Sequence, residues 1–187
     1  MPIHKGTQTI KTPRLTLRRF TPDDVPAVYS NWANNPEVTK FLRWPAHPHI
    51  RMTMQVLDRW ISDYSHSDFY HWAIVPDDIG DPVGSISAVG HDDRTSMVHI
   101  GYCLGKAWWH QGYMSESLAA VIKFFFTQIG INRIESQHDP DNPRSGGMMK
   151  KCGMVYEGTK RQADFTNKGI ADACMYSILR SEWSDKQ

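Results

Sequence analysis

The stretch WWHQGYMSES, residues 108–117, sets a single glycine, Gly112, between a bulky aromatic pair and a run with helical spacing. That pattern could do anion chemistry. The first N–H groups of a helix have no intrahelical partners, and the peptide dipoles gather partial positive charge there. A glycine at that point lets the backbone approach a phosphate closely, or adopts a positive φ. An ordinary helix start uses the same residue, so the loop alone leaves both readings open. The spacing is neither GxGxxG nor GxxxxGKS/T, which sets aside the dinucleotide-binding and P-loop readings. A second stretch, NPRSGGMMKKCG, also opens with helix-start residues: Asn142 or Asp141 suits an N-cap and Pro143 the first turn. His47 and His49 in WPAHPHI offer two imidazoles. Pro48 separates them and no Cys or carboxylate lies near in sequence, so a loop is expected there and no metal.

The chain that must position these residues is long enough, at 187 residues, for one domain with a sizeable core. Hydrophobic residues at 40% and charged residues at 22% are ordinary for a globular protein. A formal net charge of +1 points to neither a nucleic acid nor a membrane surface as partner. Three cysteines, Cys103, Cys152 and Cys174, have no CxxC spacing, which argues against a disulfide framework or structural zinc and suits a reducing cytosol. The N-terminal MPIHKGTQTIKTPRL lacks an apolar signal core, and VIKFFF is far too short to span a bilayer. A single cytoplasmic domain over residues 1–187 is expected.

Hydrophobic periodicity supplies the elements. RLTLRRF alternates as a strand. TPDDVPAVYSNW reads as a helix with Thr21 as N-cap, Pro22, Asp23 and Asp24 in its first turn, and Val25, Val28, Tyr29 and Trp32 buried. IRMTMQVLDRWISDYS is a second helix, with Met54, Leu57 and Ile61 on one stripe. FYHWAIVP, PVGSISAVG and MVHIGYCLG form a three-stranded meander through the turns DDIGD and HDDRTS. SESLAAVIKFFFTQIG is a strongly apolar helix ended by Gly130. NRIESQHD is a strand, NPRSGGMMKKCG a helix, and MVYEGTKRQADF and IADACMYSIL are strands joined at TNKG. The crossover rule makes the third meander strand and NRIESQHD parallel neighbours.

VHIGYCLG followed by WHQGYMSESL, and later by NPRSGGMMKKCGMVYEG, resembles the GCN5-related N-acetyltransferase (GNAT) superfamily. Within it the chain is similar to the branch that acetylates N-termini of ribosomal proteins. The resemblance runs from TPRLTLRRFTPDD through MYSIL. The family loop pattern Q/R-x-x-G-x-G/A falls on Trp109 to Met114; it is matched at Gly112 and departed from at Trp109 and Met114. Asn142, Ser145, Lys151 and Gly153 match the later N-x-x-S…K-x-G pattern. The resemblance implies an α/β GNAT acyltransferase fold: a mixed, mostly antiparallel sheet with a V-shaped split between two parallel strands, and helices on both faces. It implies acetyl-CoA as co-substrate and no metal. Pantetheine would pair with backbone at Tyr102, Cys103 and Leu104 and lie against Asn142. The pyrophosphate would rest on amides of His110, Gln111, Gly112, Tyr113, Met114 and Ser115. Cys103 would lie near the thioester as a small apolar strand residue rather than as a nucleophile.

Direct acetyl transfer requires a base for the amine, a donor for the oxyanion and a proton for the leaving thiolate. The resemblance makes Asp164 the first base candidate and Glu135 the second; as bare sequence each also reads as a solvated strand carboxylate. Many family members carry a Tyr seven residues after the Asn. Met149 stands there, which leaves Ser145 to assist the thiolate. Backbone N–H near Leu104 would hold the oxyanion, and Glu116 would support its helix electrostatically. The implied acceptor is a primary amine, foremost a protein N-terminal α-amine. A small-molecule amine or a non-catalytic acyl-CoA sensor are the alternatives. Of Trp44, Trp60, Trp72, Trp108 and Trp109, one or two are expected to line the acceptor groove. The final strands could pair two copies into a homodimer.

Overall fold

The computed structural model describes residues 1–184; the last three residues of the expected 1–187 domain lie outside the described ones. Strands β1 (Ile10–Lys11), β2 (Leu15–Arg18), β3 (His71–Pro76), β4 (Gly84–Asp92), β5 (Met97–Leu104), β6 (Arg133–His138), β7 (Val155–Thr166) and β8 (Gly169–Leu179) form one sheet. Their spatial order is β1-β2-β3-β4-β5-β6-β8-β7. Every pairing is antiparallel except β5 with β6, which is parallel as the crossover rule requires. Among the described residues, β1, with two residues, is the only strand too short to show a period.

Period-two alternation feeds two cores, one on each face. All six residues of β3 are buried. Trp72 and Ile74 join Leu15, Leu17, Ile86, Ile100 and Ile134 beneath α4 (Tyr113–Phe124) and α5 (Pro143–Lys151). Ala73 and Val75 join Phe20, Val28, Trp32 and Leu57 on the opposite face, beneath α1 (Val25–Val28), α2 (Pro36–Thr39) and α3 (Ile50–Asp63). Among the described residues no helix is long and apolar enough to cross a membrane.

The local departures from expectation have identifiable causes. The helix expected over TPDDVPAVYSNW is broken into a 3₁₀ turn at Pro22–Asp24, α1, and a π turn at Tyr29–Ala33. Pro26 has no N–H for the Pro22 carbonyl, which Val25 N–H takes instead. Thr21 holds the N-cap position, but the capping carboxylate is Asp24, which accepts from Thr21 N–H at 2.8 Å and binds both Arg18 Nη atoms at 2.8 Å. The buried stripe of α3 is Thr53 and Leu57, continued by Tyr64, whereas Met54 is exposed. The seam runs at i, i+4, i+11, one position off the stripe through Met54, because Thr53 Oγ1 is drawn inward to His47 Nδ1 at 2.8 Å. The glycine pair in α5 is explained by close approach. A Cβ on Gly146 would sit 2.5 Å from His138 Nε2 and 2.9 Å from Tyr176 Oη, while Gly147 faces open space.

Candidate active site

The parallel strands part early. β5 and β6 pair only at Met97↔Arg133, Val98↔Ile134 and His99↔Glu135, although β5 continues to Leu104 and β6 to His138. On its other edge β5 stays paired with β4 as far as Gly84↔Leu104. Gly105 N–H donates to Val83 O at 2.8 Å, so by the alternation of antiparallel ladders the backbone groups of Leu104, Tyr102 and Ile100 point away from β4, into the gap. Two side chains reach into it accordingly: Ser136 Oγ donates to Ile100 O and Trp109 Nε1 donates to Leu104 O, each at 2.7 Å. Tyr102 N–H and C=O and Leu104 N–H are directed into the same gap. An extended amide-bearing ligand can lie along such an edge as a strand would.

At the open end stands Gly112, with φ +82°, at the N-terminal cap position of α4, where no side chain caps the helix. His110 is also left-handed, at φ +65°. Tyr113 and Met114 bury their side chains in the core, so the loop presents backbone. Arg14 lies across the loop. Its guanidinium donates to Gln111 O at 3.0 Å and to Glu116 Oε2 at 2.8 Å, and stacks 4.8 Å from the Tyr113 ring centre. Partial burial raises the Glu116 carboxyl, but hydrogen bonds from Thr12 and Arg14 outweigh it and hold the group below its ordinary range. Ser115 Oγ donates to Gly112 O at 2.9 Å. Left-handed turn, bare helix start and adjacent guanidinium together fit a pyrophosphate.

α5 borders the gap from β6's side. Asn142 occupies its N-cap position, with Ser145 N–H donating to Asn142 O at 3.1 Å, but the Asn142 side chain makes no capping bond. Ser145 Oγ lies 2.6 Å from Tyr102 Oη, joining α5 to β5. Burial pushes the Tyr102 phenol well above its usual range, so it stays protonated beside Ser145. Met149 is fully buried. The Cys103 side chain alternates to the other face, with Sγ 3.4 Å from Ser85 Oγ, and burial raises its thiol, leaving it an unreactive strand residue.

The two carboxylates share the face opposite α4. Glu135 and Gln137 flank inward-facing Ser136 and alternate with Ile134, which is in the α4 core. Glu135 Oε1 lies 3.2 Å from His99 Nδ1, and Oε2 accepts from Arg133 at 3.2 and 3.3 Å. A bulge in β7 between Lys160 and Asp164, with Gln162 at φ +50°, re-aims Asp164 toward this face. Its Oδ1 accepts from Arg43 at 2.7 and 3.0 Å, and Oδ2 accepts from Gln137. The β7–β8 turn is bound to the α2–α3 segment. Asn167 N–H donates to Leu42 O at 2.9 Å and its Nδ2 to Thr39 O at 2.6 Å and Trp44 O at 3.1 Å. Arg14, Arg43, Gln137 and the Tyr102 hydroxyl therefore belong to the site without having been marked by any motif.

The remaining candidates have other work. His47 bonds Thr53, and His49 Nδ1 accepts from Met52 N–H at the start of α3. Trp72 is buried in the core, and the Trp60 ring lies tilted against His71, with ring centres 4.1 Å apart. Trp108 packs beside Gly105 and against the core beneath α4, whereas Trp109, tied to Leu104, packs against the core of the opposite face. Trp44 alone stands at the wall where Asn167 meets the α2–α3 segment.

Residues 14–155 match the family described as "Acetyltransferase (GNAT) domain". The chain is 26% identical over 178 residues to the uncharacterized N-acetyltransferase p20 of Bacillus licheniformis, covering 95% of this chain and 99% of that protein. It is 27% identical over 86 residues to the ribosomal protein uS5-alanine N-acetyltransferase of Escherichia coli K12, covering 46% of this chain and 44% of that one. Its fold superposes with a TM-score of 0.81 on RimL, a ribosomal L7/L12 α-N-protein acetyltransferase solved with coenzyme A, at 23% identity over 92% of this chain and 98% of the other. An open strand edge, a glycine-headed helix start and a family match over most of the sequence converge: the chain belongs to the GNAT family, and is an N-acetyltransferase that takes its acetyl group from acetyl-CoA.

Proposed function

We propose that the acceptor is the α-amine of a protein N-terminus. The observation that carries this reading is the pair of carboxylates, Glu135 and Asp164, on the sheet face opposite α4 beside the split. Each holds an arginine guanidinium, so the face is built to receive a cation. The likeness to enzymes named for ribosomal-protein N-termini supports a polypeptide acceptor. Arg43 is 61% exposed and can swing away, so an incoming ammonium replaces it at Asp164 Oδ1.

Bound acetyl-CoA supplies the acyl carbon and the thiolate leaving group. Asp164, freed of Arg43, accepts the amine proton directly or through a water, with Glu135 as the second candidate base. Leu104 N–H, directed into the gap, stabilises the developing oxyanion. Ser145 donates toward the thiolate and is backed by the protonated Tyr102 hydroxyl at 2.6 Å. The Asn142 amide, unused in capping, holds the pantetheine, with the backbone of Tyr102, Cys103 and Leu104; amides from His110 to Ser115 hold the pyrophosphate. On the same reading the enzyme works in the cytoplasm. Edge strand β7, with Val155, Tyr156 and Phe165 exposed, is the face on which two copies would form a homodimer.

Thiol release from acetyl-CoA tests this, measured with peptides bearing the N-termini of ribosomal proteins, the same peptides N-blocked, and a panel of small amines. Release with free N-termini only is expected, and Asp164→Asn should lower kcat more than it changes the KM for acetyl-CoA. Release with small amines alone makes the protein a small-molecule acetyltransferase; tight CoA binding without release for any acceptor makes it a sensor. A pH–rate profile identical in Asp164→Asn removes Asp164 as base.

A further inference from the structure

At the end of the sheet remote from the split, the N-terminal segment and the β4–β5 turn bring two imidazoles and a carboxylate together. His4 Nε2 and His91 Nδ1 both approach Asp93 Oδ1, at 3.0 and 3.2 Å. One ligand atom from each of the three residues lies within 4.8 Å of the others. The second nitrogen of each ring is also held: His4 Nδ1 is 3.0 Å from Tyr70 Oη, and His91 Nε2 is 3.6 Å from Asp68 Oδ2. β5 begins at Met97, just after Asp93, and ends at Leu104, so at the ordinary strand rise the cluster lies about 24 Å from the mouth of the split.

We propose that His4, His91 and Asp93 bind one divalent transition-metal ion of the zinc class. Tetrahedral coordination with bonds of 2.0–2.1 Å separates ligand atoms by about 3.3 Å. Two of the three separations already fall near that value, and the third, between the imidazole nitrogens, closes by a small swing of the exposed His91. Two neutral imidazoles and a carboxylate, with a water in the fourth position, suit a borderline-soft ion. His4 binds through Nε2, its ring proton then resting on Nδ1 and donated to Tyr70 Oη. His91 binds through Nδ1 with its proton on Nε2, facing Asp68. Partners on the distal nitrogens are what fix tautomer and ring orientation in metal sites, and here both rings have one. Tyr70 is buried and also accepts from Lys5 N–H at 3.2 Å, so the His4 ring is oriented from the core. The ion would staple the N-terminal segment to the β4–β5 turn and to the loop before β3.

The test uses the full chain, stripped of metal and titrated with zinc chloride against a competing chromophoric chelator, with melting temperature as a second readout. One tight equivalent and a zinc-dependent rise in Tm are expected. His4→Ala and His91→Ala, which remove ligands from separate segments, should each lose that equivalent while keeping the metal-free Tm within a few degrees. Asp68→Asn should keep the equivalent with affinity lowered roughly 10–100-fold. Absence of a tight equivalent in the parent chain, or its retention in both histidine variants, overturns the proposal. Zinc taken up by the three free cysteines, none of which lies in this cluster, would persist in the histidine variants and is thereby told apart.

Discussion

Replacing Gly112 separates what this residue does for the fold from what it does for the cofactor. At φ +82° any residue with a Cβ is strained, by roughly 1–2 kcal/mol for alanine. The new Cβ would stand 3.3 Å from Arg14 Nη2, the movable end of a long side chain, so little is added. For a chain of this length 1–2 kcal/mol lowers Tm by about 2–8 °C. Asparagine tolerates the left-handed region and should cost less. Glutamate carries a backbone cost like that of alanine and places a carboxylate among the amides proposed to face the pyrophosphate. Like charges about 4 Å apart cost about 1–4 kcal/mol between bulk-water and near-surface screening, or on the order of 5- to 1000-fold in affinity. Gly112→Ala, Gly112→Asn and Gly112→Glu would be compared by thermal melts and by calorimetric titration with acetyl-CoA and with S-acetylpantetheine, which lacks the pyrophosphate. The expectation is a large loss for glutamate with acetyl-CoA and none beyond the asparagine variant with the truncated thioester. Equal acetyl-CoA affinities for asparagine and glutamate would refute the pyrophosphate assignment.

Two further predictions concern the scaffold. His71 is buried against Trp60 and Phe20, and burial pulls its pKa down to about 3. Its folded pKa lies below the unfolded value near 6.5, so the neutral ring contributes in full above pH 7, and stability falls as the unfolded chain takes up a proton between about 6.5 and 3. By pH 5 the loss is about 2 kcal/mol, and urea unfolding should show it shrinking in His71→Phe; an unchanged pH slope would reject this account. Gly146→Ala forces a Cβ against His138 and Tyr176 and should cost about 1–3 kcal/mol, with reduced kcat because Ser145 shifts with α5; an unchanged Tm would show that the neighbours yield freely.

What could be read in the sequence, and what could not, divides by range. The β3–β4–β5 meander and the parallel crossover follow from period-two runs and short turns, which are local. The α4 face is legible for the same reason. The site is mostly assembled at long range. Asp164 meets Arg43 across 121 positions and Glu116 meets Arg14 across 102, separations at which no spacing rule operates. Tyr102 could be placed on the strand edge from sequence, but its hydroxyl partner depends on how close α5 lies, and that depends on Gly146 lacking a side chain. Met54 is exposed despite its core-like spacing because Thr53, though polar, is satisfied internally by His47 and takes the buried position.

The departures of the loop from its family pattern fall where the structure can absorb them. The pattern asks for a polar residue where Trp109 stands and a second small residue where Met114 stands. Met114 turns its side chain into the core, so its amide is presented whatever the side chain is. Trp109 supplies its polarity through Nε1, which donates to Leu104 O at the last residue of the open strand edge. That bond ties the loop to the edge, so the backbone surfaces that would hold pyrophosphate and pantetheine are fixed relative to each other by one side chain. A backbone-built anion site demands only conformation, and conformation is what left-handed Gly112, with His110 two residues before it, provides. One glycine retained and two pattern positions replaced is therefore a consistent site, because what the two replaced positions contribute is a backbone amide and a tether.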